Sequence, residues 1–298
     1  VGPDGRFELS EAVASGYKGP LDIAGFHMKF GGKSGEPIFG PQYDDAAFKQ
    51  RSMGNWSTLQ SGVNSEVQAL AFYDNKLIVG GNFTSAGGND ARYIAAWDGT
   101  SWSQLGTGMN GAVCALIVDK NRNILIAGGN FSSADGTPAS RIASWNGHSW
   151  SALGSGAQEG GVLSLVMYGD LVVAGGTMTK AGGIPVNHIA AWDGTSWSAL
   201  GTGVSGIVIA LTVYGDNLVA GAGLAADGIS MWNGNFWSSL GSGIDGDVRA
   251  LAVFRGKLIA GGNFTVAGGV PAEAIAAWDG NSWSPLGSGM GGQVWALT

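Results

Sequence analysis

IAAWDGTSWSQLG, residues 94–106, recurs almost unchanged at residues 189–201 and 275–287. Two short apolar runs joined by Asp-Gly predict a β-hairpin with a two-residue turn, in which both central residues take positive φ. The tryptophans of this stretch recur every 40 to 48 residues, in two columns. The columns are Trp97, Trp145, Trp192, Trp232 and Trp278, and Trp56, Trp102, Trp150, Trp197, Trp237 and Trp283.

Each repeat contains two further strands besides this hairpin. In the last full repeat, one is the apolar run Val248–Val253, and the other is Leu258–Gly262, which ends in two glycines. Four short antiparallel strands at such a period are typical of a propeller blade, and no stretch has helical spacing with caps at its ends. The sequence therefore predicts an all-β fold, with the tryptophans packed between blades.

The repeat resembles the kelch motif. Gly80-Gly81, Trp97 and Trp102 stand where kelch repeats have diglycine, Tyr and Trp, but the two aromatic residues are five positions apart where kelch usually has six. The longer pattern is similar to repeats in secreted bacterial surface proteins and in the extracellular propellers of fungal cell-cortex marker proteins. The resemblance covers roughly residues 56–298. It implies a binding or surface module and transfers no catalytic residues.

The predicted ring is closed by strands from both ends of the chain. Six inner-strand runs and six outer strands are visible, but only five diglycine strands are obvious. We predict that Leu21–Gly25 is the missing strand, that Ile38–Phe39 is the third strand of the same blade, and that Val294–Leu297 completes it. The result is a single six-bladed propeller of four-stranded antiparallel blades over residues 21–298, after an N-terminal extension, residues 1–20. The alternative is five blades plus a separate N-terminal segment.

Composition favours an extracellular or cell-surface protein. Only 12% of residues are charged, 54 of 298 are glycine, and the net charge is −7 with no basic run, so we expect no nucleic acid partner. No apolar stretch is long enough to span a membrane. Because the chain begins at Val1 without Met or a signal peptide, we expect a mature or excised fragment. Cys114 has no partner for a disulfide bond within the chain and is expected to fill apolar space.

No pattern of catalytic or metal-binding residues emerges. His27, His148 and His188 fall in different parts of their repeats, which argues against a shared metal site. Neither a Gly-x-Ser-x-Gly elbow nor a Walker-type loop is present. We therefore expect a non-enzymatic protein without a cofactor.

The candidate ligand residues lie at the channel mouth and on the face formed by the long loops. Asp245 and Asp247 precede an inner strand, as does Glu66, and Arg249 can approach the same face. Tyr93 is the main aromatic residue of the long loops. These five residues predict a site for a protein or glycan at the cell surface. A solvated loop rim is the alternative for the carboxylates.

The wider role has two interpretations. One is a recognition or adhesion module. The other is a structural subunit of an extracellular assembly or filament. The N-terminal extension either packs against another copy, giving self-association, or braces the propeller's own wall.

Two local features add expectations. Asn82, Asn130 and Asn263 each begin an Asn-x-Ser/Thr sequon after a diglycine, so either a structural role or glycosylation explains them.

The repeat between Trp192 and Trp232 is about six residues shorter than its neighbours, and the missing residues come from the long loop before Ile229. We expect a notch in the loop face there, where a ligand or partner docks.

Overall fold

A computed structural model describes residues 7–8, 26–30, 37–41, 59–225 and 227–297. Every regular element in these residues is a β-strand, which confirms the predicted all-β fold. The same stretches provide no helix long and apolar enough to cross a membrane. The chain divides into two compact units, Val1–Ser57 and Thr58–Thr298.

The first unit contains a three-stranded antiparallel sheet. Its strands are β1 (Phe7–Glu8), β2 (Phe26–Phe30) and β3 (Pro37–Pro41), in the order β1-β3-β2. Ile38–Phe39, predicted to be a strand, lies in β3, where Phe39 pairs with Phe7 and Met28. The predicted strand Leu21–Gly25 and the rest of residues 1–20 fall outside the described residues. Closure of the ring by N-terminal strands therefore stays a prediction.

The second unit contains five four-stranded antiparallel sheets, numbered here blades 1 to 5 in chain order. Blade 1 comprises β4 (Val67–Tyr73), β5 (Lys76–Gly81), β6 (Ser85–Ala86), β7 (Asn89–Asp90), β8 (Ile94–Trp97) and β9 (Trp102–Gln104). Blade 2 comprises β10 (Val113–Asp119), β11 (Ile124–Gly129), β12 (Ser133–Ala134), β13 (Thr137–Pro138), β14 (Ile142–Trp145) and β15 (Trp150–Ala152). Blade 3 comprises β16 (Ala157–Gln158), β17 (Val162–Tyr168), β18 (Leu171–Gly176), β19 (Lys180–Ala181), β20 (Ile184–Pro185), β21 (Ile189–Trp192) and β22 (Trp197–Ala199).

The last two blades differ in length. Blade 4 comprises β23 (Ile207–Tyr214), β24 (Asn217–Gly223), β25 (Ile229–Trp232) and β26 (Trp237–Ser239). Blade 5 comprises β27 (Asp247–Phe254), β28 (Lys257–Asn263), β29 (Val266–Ala267), β30 (Val270–Pro271), β31 (Ile275–Trp278) and β32 (Trp283–Pro285). The short pairs β6–β7, β12–β13, β19–β20 and β29–β30 are called loop hairpins below.

Consecutive blades meet through their first strands. These inner strands, β4, β10, β17, β23 and β27, contact one another in chain order. The diglycines allow this close approach: a Cβ atom at Gly80 would lie 2.5 Å from Cγ1 of Val113 in the next blade. Val294 packs in the same way over Gly261 of blade 5, at 2.5 Å from a Cβ built there. Residues 293–297 form no strand, and the number of blades in the complete ring stays a prediction.

The second tryptophan of each blade hydrogen-bonds to the segment that precedes the blade. Each indole N–H donates to the carbonyl of a leucine that precedes the blade, at 2.7–3.0 Å. The pairs are Trp102–Leu59, Trp150–Leu105, Trp197–Leu153, Trp237–Leu200 and Trp283–Leu240. Within each blade the two tryptophans tilt against each other, with ring centroids 5.3–5.5 Å apart. The predicted packing role of these residues therefore includes a directional hydrogen bond.

The Asp-Gly turns differ from the expected two-residue type. Trp97 pairs with Trp102, so four residues connect the strands, and of Asp98 and Gly99 only Gly99 has positive φ. The Asp98 carboxylate instead accepts hydrogen bonds from the backbone N–H groups of Ser101 and Thr100, at 2.7 and 2.8 Å. These bonds hold the pKa of Asp98 well below its usual range. Asp98 thus stabilises the turn through its side-chain oxygens, and the positive φ predicted for it was wrong.

Candidate functional site

The loop hairpins define one face of the second unit, called the loop face below. Blades 1, 2, 3 and 5 each carry one hairpin directly after their diglycine strand. A fully or almost fully buried side chain anchors each hairpin: Phe83, Phe131, Met178 and Phe264. Each hairpin also pairs with the segment that precedes its blade, as Ala267 does with Ile244. The loop face is therefore a set of anchored loops on a rigid sheet core.

Asp245, a predicted ligand residue, supports one of these hairpins. Its Oδ1 accepts hydrogen bonds from the backbone N–H groups of Thr265 and Val266, both at 2.8 Å, and the Thr265 hydroxyl donates to Oδ2 at 2.7 Å. Desolvation opposes ionisation, but these hydrogen bonds outweigh it and keep the pKa of Asp245 below its usual range. Asn64 makes the equivalent backbone bonds in blade 1. The structure thus places Asp245 as a hairpin cap.

Glu66 and Tyr93 both belong to blade 1, whereas the other three candidates belong to blade 5. The Glu66 side chain is exposed, and its backbone carbonyl accepts from Asn82 N at 2.9 Å. Tyr93 is half-buried against the core, has φ of 65°, and closes the hairpin through its N–H bond to the Phe83 carbonyl. Both residues thus contribute backbone contacts to blade 1.

Blade 4 lacks a loop hairpin. Five residues separate Gly223 from Ile229, and those of them that the structure describes form no strand. Leu224 stands where the other blades have their buried anchor, but it is 86% exposed, with φ of 59°. The carbonyl of Asp227 accepts from Ile244 N at 2.8 Å and so keeps the contact with the next blade. The shortened loop therefore opens the loop face, as the repeat length predicted.

Asp247 and Arg249 meet beside this opening. Asp247 Oδ1 accepts from Leu224 N at 3.3 Å, and Oδ2 accepts from Nη2 of Arg249 at 3.1 Å. The structure thus brings together two of the five predicted residues and links them to the backbone of the shortened loop.

A β-bulge sets the direction of Arg249. The inner strand of every described blade shifts register by one residue near its start, between Val248 and Ala250 in blade 5. The bulged residues are Gln68, Cys114, Leu163, Ile209 and Arg249. Such bulges re-aim one side chain out of the sheet pattern. The next residue of this column is Trp295, which follows Val294.

Trp295 also belongs to this site, although it was not among the five residues predicted from the sequence. The Arg249 guanidinium carbon lies 4.1 Å from the centroid of the Trp295 ring, and the tryptophan is 70% exposed. Extending the bulge column to the end of the chain would have pointed to it. Leu224, Asp247, Arg249 and Trp295 are called the rim cluster below.

The rim cluster combines an ion pair with accessible apolar surface. Arg249 is mostly buried, and its Nε has no hydrogen-bond partner within the described part of the chain. Asp247 balances its charge, so the pair is neutral as a whole. A carboxylate and a guanidinium beside an exposed indole and an exposed leucine form a surface that suits ligand binding.

Other candidate groups are dispersed. The described residues contain no group of three or more His, Cys, Asp or Glu arranged to hold a metal ion. Cys114 accepts a long hydrogen bond of 3.8 Å from Nδ2 of Asn130, and burial raises the pKa of its thiol. Asn82 and Asn263 expose their side chains, with no side-chain hydrogen bond inside the described ranges. A bond from these two side chains to nearby backbone, the structural role expected for them, is thus not seen.

Known structures resemble this chain at low identity. The designed protein Ika8 is 21% identical with a TM-score of 0.53, and the match covers 78% of this chain and 65% of Ika8. The designed protein Ika4 is 22% identical with a TM-score of 0.40, covering 60% of this chain and 98% of Ika4. The extracellular domain of a B. thetaiotaomicron protein is 11% identical with a TM-score of 0.48, covering 72% and 27%. The likeness to Ika8 concerns the fold alone.

Sequence families give a closer assignment. No curated protein matches the chain. The family model of the Rax2 C-terminal beta propeller domain matches residues 45–213. Because this match covers more than half of the 298 residues, the chain belongs to the family of the Rax2 C-terminal beta propeller domain.

Proposed function

We propose that this propeller is a non-enzymatic recognition module outside the cell or at its surface, which binds a protein or a glycan through the loop face. The observation that carries the proposal is the exposure of Leu224 at the position where the other blades bury their hairpin anchor. An apolar side chain that is released to solvent beside an ion pair and an open tryptophan forms a local contact surface.

The surroundings of the opening support this assignment. The loop hairpins of blades 3 and 5 carry Ile184 and Val270, both partly exposed, where the hairpins of blades 1 and 2 carry Asn89 and Thr137. The blades on either side of the opening thus present apolar residues at the same hairpin position. Because both hairpins are anchored in the core, this surface is pre-formed and loses little conformational entropy on binding.

The rim cluster itself supports a binding role. Its carboxylate, that of Asp247, accepts hydrogen bonds from the Arg249 guanidinium and from the backbone N–H of Leu224. A charge pair held in this way is suited to orienting a ligand. The low content of charged residues, 12%, supports the extracellular assignment.

A loop graft tests the proposal. Residues 263–274 of blade 5 replace residues 223–228, which supplies the missing hairpin and fills the opening. The fluorescently labelled protein is titrated against intact cells of the source organism and measured by flow cytometry. We expect the wild-type protein to bind and the graft to lose binding by about tenfold or more, the effect of losing a contact worth about 1.4 kcal/mol.

A second graft serves as the control. The same residues 263–274 replace residues 82–93 of blade 1, which exchanges one hairpin for another of equal length. This variant should bind as the wild-type protein does. Equal binding by the wild-type protein and the blade 4 graft would refute the proposed role of the opening.

A further inference from the structure

We propose that the rim cluster binds a neutral oligosaccharide, with one sugar ring stacked on Trp295. The inference rests on the proposed function, recognition through the loop face, and names the ligand class for the opening in blade 4. Its basis is the contact between Asp247, Arg249 and Trp295 and the exposure of the tryptophan and of Leu224.

The indole provides the apolar half of the site. The guanidinium of Arg249 lies over the Trp295 ring at 4.1 Å, while 70% of the residue stays accessible to solvent. The cation on the ring restrains the indole, so the remaining surface is held ready for a ligand. A pyranose presents C–H groups on one face and hydroxyl groups around its edge, and the C–H face is the part that packs on an aromatic surface.

The polar half of the site lies beside the indole. Asp247 accepts one hydrogen bond at each carboxylate oxygen, from Leu224 N and from Arg249, and each oxygen retains capacity for a hydroxyl donor. Asn263 is directly opposite Asp247 in the strand register, and its side chain is exposed. An amide both donates and accepts, so this pair matches the mixed donor and acceptor character of sugar hydroxyls.

Charge selects a neutral ligand over an anionic one. Asp247 balances Arg249 at 3.1 Å, so the cluster has no excess positive charge to attract an anion. Exposed carboxylates precede the inner strands of blades 1, 3 and 5, at Glu66, Glu159 and Asp245, and the whole chain has a net charge of −7. The field at the loop face therefore disfavours acidic sugars.

Binding of defined hexasaccharides tests the inference. Cellohexaose, mannohexaose and chitohexaose serve as neutral probes, and hexagalacturonic acid serves as the acidic probe. Affinities are measured by calorimetry with the full chain. We expect at least one neutral probe to bind with a Kd below about 1 mM, and the acidic probe to bind about tenfold more weakly or not at all.

Three variants and one matched control locate the site. Trp295→Ala should weaken binding of the neutral probe about tenfold, since stacking on an aromatic ring contributes up to that factor. Asp247→Asn and Arg249→Lys should weaken it by similar factors, because they change the planar polar groups. Gln68→Ala alters the bulged residue of blade 1 and should leave affinity unchanged. Thermal unfolding of each variant verifies that the fold is retained.

The outcomes separate this inference from the proposed function. If no neutral hexasaccharide binds at about 1 mM, if the acidic probe binds more tightly, or if Trp295→Ala binds as the wild-type protein does, the ligand class is wrong. In each of these cases the loop graft still decides the proposed function, since its readout is binding to cells. Loss of cell binding in the graft without sugar binding would point to a protein partner.

Discussion

Blades 4 and 5 place an apolar residue at the same position in opposite environments. Phe264 follows the diglycine strand of blade 5 and is 5% exposed, whereas Leu224 follows the corresponding strand of blade 4 and is 86% exposed. The two strands align residue by residue, although the strand of blade 4 ends in Gly-Ala-Gly and that of blade 5 in Gly-Gly-Asn. The difference is loop length, because a loop of five residues cannot fold back over its own anchor. A hydrophobic position in a repeat therefore predicts burial only where the surrounding loop is complete.

The largest effect we expect concerns ring closure. Val67 of blade 1 is 46% exposed, while its equivalent in blade 5, Val248, is fully buried. In the six-bladed interpretation, deleting residues 1–50 opens a blade and lowers the free energy of unfolding by more than any single substitution described below, about 5 kcal/mol or more. Urea denaturation compares the two proteins. Unchanged stability would instead favour the alternative of five blades with a separate N-terminal segment.

The two equivalent apolar residues should differ sharply in mutational cost. Phe264→Ala removes a buried anchor and should lower the free energy of unfolding by about 3–5 kcal/mol. Leu224→Ala removes an exposed side chain and should change it by less than about 0.5 kcal/mol. Urea denaturation monitored by circular dichroism measures both. Equal losses in the free energy of unfolding would mean that Leu224 is buried in solution. They would contradict the difference in environment between the two residues.

The tryptophan bonds should show a smaller difference between the same blades. Trp283→Phe removes an N–H that donates to the Leu240 carbonyl at 2.9 Å inside the protein, so that carbonyl loses its partner. We expect a loss of about 1–3 kcal/mol in the free energy of unfolding. Trp237→Phe in blade 4 removes the equivalent bond to Leu200 at a partly exposed site and should cost less, about 1 kcal/mol. Thermal unfolding ranks the two variants, and the reverse order would contradict the proposed effect of burial.

The smallest effect we expect is the pH dependence of stability caused by Asp245, which caps the loop hairpin of blade 5. Blade 4 has no such hairpin to cap. The pKa of Asp245 is lowered in the folded protein, so its stabilising contribution is present above the unfolded pKa of about 3.9 and is lost as pH falls through the folded value. Asp245→Asn retains an oxygen acceptor, as Asn64 does in blade 1, and should lack this acid-sensitive component. Unfolding measured between about pH 2 and 7 tests this. Identical pH profiles for the two proteins would show that ionisation of Asp245 contributes nothing to stability.

Much of the fold followed from local chemistry. The contacts made by glycine pairs, Asp-Gly turns and tryptophans lie within one repeat or between neighbouring repeats. Because these contacts recur with each repeat of the sequence, they produce a series of similar blades. The all-β class, the four-stranded sheets and the opening in blade 4 were predicted on this basis. The turn type was not, because the Asp98 side chain replaces a backbone conformation with hydrogen bonds.

The candidate site depended on tertiary structure. Asp245 and Asp247 are two residues apart and were equivalent candidates in the sequence, yet one caps a hairpin while the other pairs with Arg249. The distinction arises from where each residue lies, since Asp245 precedes the inner strand and contacts the loop hairpin, whereas Asp247 begins that strand, opposite Asn263. Trp295 joins Arg249 across 46 positions of sequence because residues after blade 5 pack over its diglycine. The repeat pattern alone determined which elements form, whereas the packing of neighbouring segments decided which side chains meet.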